Sequence, residues 1–108
     1  MNQLELEVTS HPYNGTKQLL TQLKSILVRN ELLTITMEEC SEVAVECSKV
    51  IRFAAEDTTF SPTLERELGD LLCMVDLLKE ANIVTDAGLA EAKAAKREKL
   101  KKWSNLNV

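Results

Sequence analysis

Cys40, Val43, Ala44, Cys47, Val50, Ile51 and Ala54 recur at intervals of three and four residues. That is the period of a helix with one face turned to a core, and a strand cannot satisfy it. The same period runs through Leu64, Leu68, Leu71, Leu72, Val75 and Leu78. Shorter versions occur at Leu20, Leu23, Leu27 and Val28, and at Leu89, Ala92, Leu100 and Trp103. With only three glycines and two prolines in 108 residues, little interrupts these stripes. Leu, Ala, Glu and Lys are abundant and suit helix interiors. The chain is expected to be all-α, one domain, and a four-helix antiparallel bundle-like protomer.

The punctuation sets the expected boundaries. The first helix is expected from Thr16 to about Asn30. The second should start near Thr34 or Thr36, where Thr36 and Glu39 have capping-box spacing. The third should open at Ser61-Pro62, with serine as N-cap and proline at the first helical position. It should run to about Ala81. A short turn, Asn82 to Thr85, then leads into a helix from Asp86 to about Trp103, with Thr85 as N-cap. Leu4, Leu6 and Val8 alternate with Glu5 and Glu7, and Pro12 and Asn14-Gly15 suggest a turn. Residues 1–15 are therefore expected as an extended arm, 16–104 as the helical domain and 105–108 as a tail. His11 is expected as an ordinary loop histidine.

The third stretch is apolar beyond its main stripe, at Cys73, Met74 and Leu77. A helix apolar on most sides is buried on most sides. In so short a chain, that predicts a core completed by oligomerisation, as a homodimer or homotetramer.

The formal net charge of -4 argues against a partner such as a nucleic-acid polymer. No apolar run is long enough to span a membrane, and none reads as a signal peptide. Cys40, Cys47 and Cys73 form no C-x-x-C pair. They are expected as reduced core residues of a cytoplasmic protein.

The chemistry is concentrated in acidic pairs. Glu39 and Glu42 lie one turn apart on one helix, and Glu67 and Asp70 on the next. Both pairs hold the same angular offset from their apolar stripes, at about 100° per residue. Helices packed as a hairpin would bring the pairs face to face. Four facing carboxylates repel one another unless a cation sits between them. Hard oxygen ligands suit Mg²⁺ and a phosphate-rich substrate.

Counting residues gives a testable register. If the pairs face each other across an antiparallel hairpin, Glu39 is level with Asp70 and Glu42 with Glu67. Pro62 is then level with Cys47, and the helix bearing Glu39 overhangs its partner by about 11 Å, two turns. A symmetric hairpin would instead separate the pairs by roughly two turns.

The segment Glu38-Glu39-Cys40-Ser41-Glu42 followed by Glu67-Leu68-Gly69-Asp70 resembles the E-E-x-x-E … E-x-x-D pattern of the MazG-like, all-α nucleoside-triphosphate pyrophosphohydrolases. The likeness covers roughly residues 35 to 103. It implies hydrolysis of an NTP or dNTP to the monophosphate and pyrophosphate. By position it implies Glu39, Glu42, Glu67 and Asp70 as Mg²⁺ ligands, with Mn²⁺ a possible substitute. Glu38 is implied either as an outer ligand or as a partner of the attacking water, and Glu38 and Glu42 are the candidate catalytic carboxylates that take its proton. Lys96, Arg97 and Lys93 are the candidate cations for the leaving pyrophosphate. Lys96 interrupts its apolar stripe, where a lysine needs an anion or a route to water. Lys24, beside Leu20 and Val28, is either a snorkelling lysine or a cation near substrate. Trp103 is expected in the core rather than against a base.

Two other functions are compatible with the sequence. One is phosphoribosyl-ATP pyrophosphohydrolase activity, from the same superfamily. The other is a non-catalytic helical adaptor with an acidic face. Pyrophosphate release from a nucleotide panel separates them.

Overall fold

The computed structural model describes residues 14–53 and 60–108. They form three helices: α1, Asn14–Phe53; α2, Pro62–Glu80; and α3, Asp86–Trp103. The all-α expectation holds for these residues. The four-helix count does not, because the first two expected helices are one continuous helix of 40 residues. At 1.5 Å per residue it is about 60 Å long, and it accounts for most of the 68 Å long axis of the molecule.

The expected break at residues 31–33 fails for a local reason. No glycine or proline occurs between Gly15 and Pro62. The Thr34 and Thr36 hydroxyls, taken above as possible caps, donate backwards to the carbonyls of Asn30 (2.8 Å) and Leu32 (2.7 Å). A threonine bonded four residues back sits inside a helix. Thr36 therefore caps nothing, and Glu39 is released from the capping box. Asn14-Gly15, expected as a turn, belongs to α1. The rest of the expected arm, with His11, lies outside the described residues.

The ends of α2 and the start of α3 follow the sequence. The Ser61 hydroxyl accepts from Leu64 N at 3.2 Å, with Pro62 following it. Thr85 accepts from Gly88 N at 3.0 Å. A Cβ on Gly88 would sit 2.9 Å from that Thr85 oxygen, so this first-turn position suits glycine. Asn82 holds the left-handed conformation at φ 59°. The Ile83 amide donates to Leu78 O and the Asn82 amide to Lys79 O, both at 2.9 Å. This is a Schellman ending with asparagine in the usual glycine position. Lys79 then bridges α2 to α3, 3.3 Å from Asp76 and 3.2 Å from Asp86. Asp86, then Asp76, raises the Lys79 pKa. The pair is open to water and holds the turn only weakly.

Tertiary packing is confined almost entirely to α1 against α2. On α1 the seam contains Leu32, Ile35, Glu39, Val43, Glu46 and Val50. On α2 it contains Leu64, Glu67, Leu71, Met74 and Leu78. Steps of three and four carry one seam along both helices. Met74 and Leu78 are the buried apolar residues, and Glu46 is buried with them.

The apolar stripes read from the sequence lie only partly on the seam: Val43, Val50, Leu64, Leu71 and Leu78 do, and the rest sit beside it. Cys40, Ala44, Cys47 and Ile51 each follow a seam residue by one position, as Leu68 and Leu72 do on α2. One position is about 100°. Equal rotations on antiparallel partners turn to the same side of the hairpin. That side is uncovered: Ile51 is 84% and Leu72 62% exposed. All three cysteines are exposed, and Trp103 is 80% exposed, contrary to their expected core positions. The cysteines lie off the α1–α2 seam, and among the described residues α3, which carries Trp103, packs little against the hairpin.

Candidate metal centre

The seam places three carboxylates together. Glu39 of α1 and Glu67 and Asp70 of α2 each offer an oxygen within 4.8 Å of the other two. Glu39 and Glu67 are half-buried, and Asp70 is exposed at the rim. Glu39 and Glu67 occupy seam positions, where a leucine would ordinarily sit. Asp70 precedes the seam residue Leu71, so it reaches in from the side opposite the uncovered apolar face. Glu38 and Glu42 also precede seam residues and stand exposed on that same side. Glu42 is not part of the close group, although it was expected as a fourth ligand.

The electrostatics match the crowding. Glu39 is harder to ionise than an ordinary glutamate, first because it is partly desolvated. The charges of Asp70, Glu67, Glu42 and Glu38 then add to this, in that order. A carboxylate hemmed in by four others is stabilised by whatever positive charge enters the group.

The register agrees with the count from sequence. Glu39 meets Asp70, which sets Glu46, seven residues further along α1, level with Thr63 on α2. In this register the last turn of α1 projects past Pro62, which leaves Ile51 and Phe53 exposed. Ala54, expected on the apolar stripe of this helix, lies outside the described residues.

Glu46 lies on the same seam, one heptad beyond Glu39. It lies below the ordinary glutamate range. Its hydrogen bonds to Lys49 and then Thr63 hold it there, with Lys49 and Arg66 charges assisting. The Lys49 bond is 3.1 Å. Its separation of seven residues from Glu39, a heptad on one seam, was the legible signal.

The expected cations are not gathered at this centre. Lys93, Lys96 and Arg97 are exposed on α3 and make no ion pair with its carboxylates among the described residues. Lys24 lies in a groove with Arg29, Ser25 and Ile83, where α2 ends. It stands about 22 Å along α1 from Glu39. No helix among the described residues is long and apolar enough to cross a membrane. Comparison with protein-family models, curated proteins and solved structures finds no match.

Proposed function

We propose that this chain is a Mg²⁺-dependent nucleoside-triphosphate pyrophosphohydrolase of the MazG-like kind, acting on an NTP or dNTP. The observation that supports this most is the convergence of Glu39, Glu67 and Asp70 from two helices. They carry three of the four ligand positions implied by the E-E-x-x-E … E-x-x-D resemblance. The donor set is all oxygen, anionic and open on one side, which suits Mg²⁺ holding both waters and phosphate.

In this reading Glu39, Glu67 and Asp70 hold Mg²⁺, and Glu42 joins them by rotation of an exposed side chain. When bound, Mg²⁺ supplies charge for the phosphate oxygens and orients a water. Glu38 or Glu42, both solvent-facing beside the cluster, accepts the proton of that water. Lys96, Arg97 and Lys93 are assigned to the pyrophosphate, and α3 must then lie against a carboxylate cluster in the assembled protein.

Assembly belongs to the same proposal. The uncovered side bearing Cys40, Ala44, Ile51, Leu68 and Leu72 is contiguous across two helices. We assign it to a second copy of the chain, so that two hairpins form a four-helix bundle. The carboxylates open on the opposite side and stay accessible.

The test is pyrophosphate release from a panel of common and modified nucleoside triphosphates and phosphoribosyl-ATP, with and without Mg²⁺. Monophosphate and pyrophosphate in equal amounts from an NTP or dNTP are expected. Turnover of phosphoribosyl-ATP alone would move the protein to that enzyme. No turnover and no cation binding would leave the non-catalytic adaptor.

A further inference from the structure

We infer that the open half of the α1 seam, beyond the end of α2, is the dock for this chain's own residues 4–8. Glu39 meets Asp70, so Glu80, ten residues on, ends α2 level with Arg29 on α1. The part of α1 before Arg29 runs on alone for about 22 Å, at 1.5 Å per residue. Its seam positions continue in steps of three and four through Leu32, Val28, Ser25 and Thr21. They floor a groove of about 460 Å³, with Ile83 at its α2 end. Val28 on that floor is 58% exposed.

At about 100° per residue, Lys24 and Arg29 stand on either side of the line through Val28 and Leu32. Both line the groove. Lys17 extends the Lys24 edge toward the start of α1, into a second groove of about 360 Å³. Between Asn14 and Asn30 these three cations are the only charged residues. None of them makes an ion pair among the described residues. The first turn of α1 carries no acidic residue to meet its dipole. The groove therefore suits a narrow occupant, apolar on one side and acidic on the other.

Residues 4–8, outside the described part of the chain, read Leu-Glu-Leu-Glu-Val. In an extended segment such alternation puts the apolar side chains on one face and the carboxylates on the other. Glu5 and Glu7 would be about 7 Å apart along it, and Lys24 and Arg29 are about 7.5 Å apart along the helix. The nine residues from Asn14 back to Glu5 span about 30 Å when extended, and Arg29 is about 22 Å from Asn14. The uncovered Ile51 is about 55 Å away, beyond the roughly 43 Å that residues 1–13 can span. Other occupants suit the groove less well. With six cations against three acids, α3 would be repelled, as would the same cationic face of a second copy. None of this depends on a cation at the carboxylate cluster.

Disulfide trapping in the full chain tests the dock. The exposed Cys40, Cys47 and Cys73 are first replaced by serine. Leu4→Cys, Leu6→Cys or Val8→Cys is then combined with Val28→Cys on the floor, or with Leu23→Cys on the opposite face, and oxidised with diamide. At least one arm position should cross-link within one chain to Val28→Cys roughly tenfold faster than to Leu23→Cys. Lys24→Glu with Arg29→Glu should remove that preference, and adding Glu5→Lys with Glu7→Lys should restore it. Equal rates at the two faces would overturn the inference. Cross-links between chains alone would also overturn it and hand the groove to a second copy. The natural chain gives a second reading without added cysteines. Glutamyl endopeptidase should cut after Glu5 and Glu7 roughly threefold faster in Lys24→Gln/Arg29→Gln than in the parent, because an undocked arm is open to cleavage. Equal cleavage in the two proteins would overturn the inference as well.

Discussion

Glu39 on α1 and Asp70 on α2 hold carboxylate oxygens within 4.8 Å across the hairpin seam, with Glu67 equally close. Like charges at such a distance are tolerated at a cost, and that cost makes stability depend on pH. Glu39 is raised above the ordinary glutamate value of 4.5, by desolvation and then by Asp70 and its neighbours. Its penalty is absent below 4.5 and grows as pH rises through its folded value. Glu46 is lowered from 4.5. Its contribution is complete above 4.5 and is lost as pH falls through its folded value. Metal-free protein should therefore melt highest near pH 4.5 and lower on either side. Glu39→Gln should flatten the upper limb and Glu46→Gln the lower one. Thermal melts by circular dichroism decide this, and equal pH profiles in all three proteins would refute it.

Glu67→Gln removes a charge from the centre while keeping shape. Activity should fall to background with the helical content retained. Steady-state pyrophosphate release and far-UV circular dichroism check this together. Full activity in the variant would remove Glu67 from the site.

Gly69 lies between Glu67 and Asp70, yet nothing stands within 4 Å of a Cβ placed there. It is exposed on the outer face of α2. Gly69→Ala should stabilise the protein by about 0.5–1 kcal/mol, the usual cost of glycine inside a helix. Activity should be unchanged. Denaturant unfolding gives the answer, and destabilisation would reveal a partner packed against that face.

Much of the local structure was legible in the residues. Ser61-Pro62 and Thr85 cap the helices as their types dictate, and α3 spans the expected Asp86 to Trp103. Equal offsets of Glu39 and Glu67 from their stripes foretold that they meet. What the stripes could not show was which side faces α2. Apolar content pointed to Cys40, Ala44 and Cys47, whereas the seam runs through Glu39, Val43 and Glu46. Periodicity reports that a face is buried, not what covers it. The continuity of α1 near residue 33 is not legible in the residues because threonine serves both as a cap and as a back-bonded helix residue. Only the Thr34 and Thr36 hydrogen bonds distinguish the two.

The uncovered apolar side should hold two chains together. Ile51→Glu combined with Leu72→Glu should convert a dimer or larger assembly to a monomer, while the α1–α2 seam is untouched. Light scattering at low micromolar concentration measures this. A wild-type protein that is already a stable monomer would contradict the pairing.

The central claim is that Glu39, Glu67 and Asp70 of one chain form a single divalent-cation site. Its most direct test is Mn²⁺ binding followed by electron paramagnetic resonance, on wild type and on Asp70→Asn. Saturable Mn²⁺ binding, displaced by Mg²⁺ and lost in Asp70→Asn, is the predicted result. No saturable binding in the wild type, or equal binding in the variant, would contradict it.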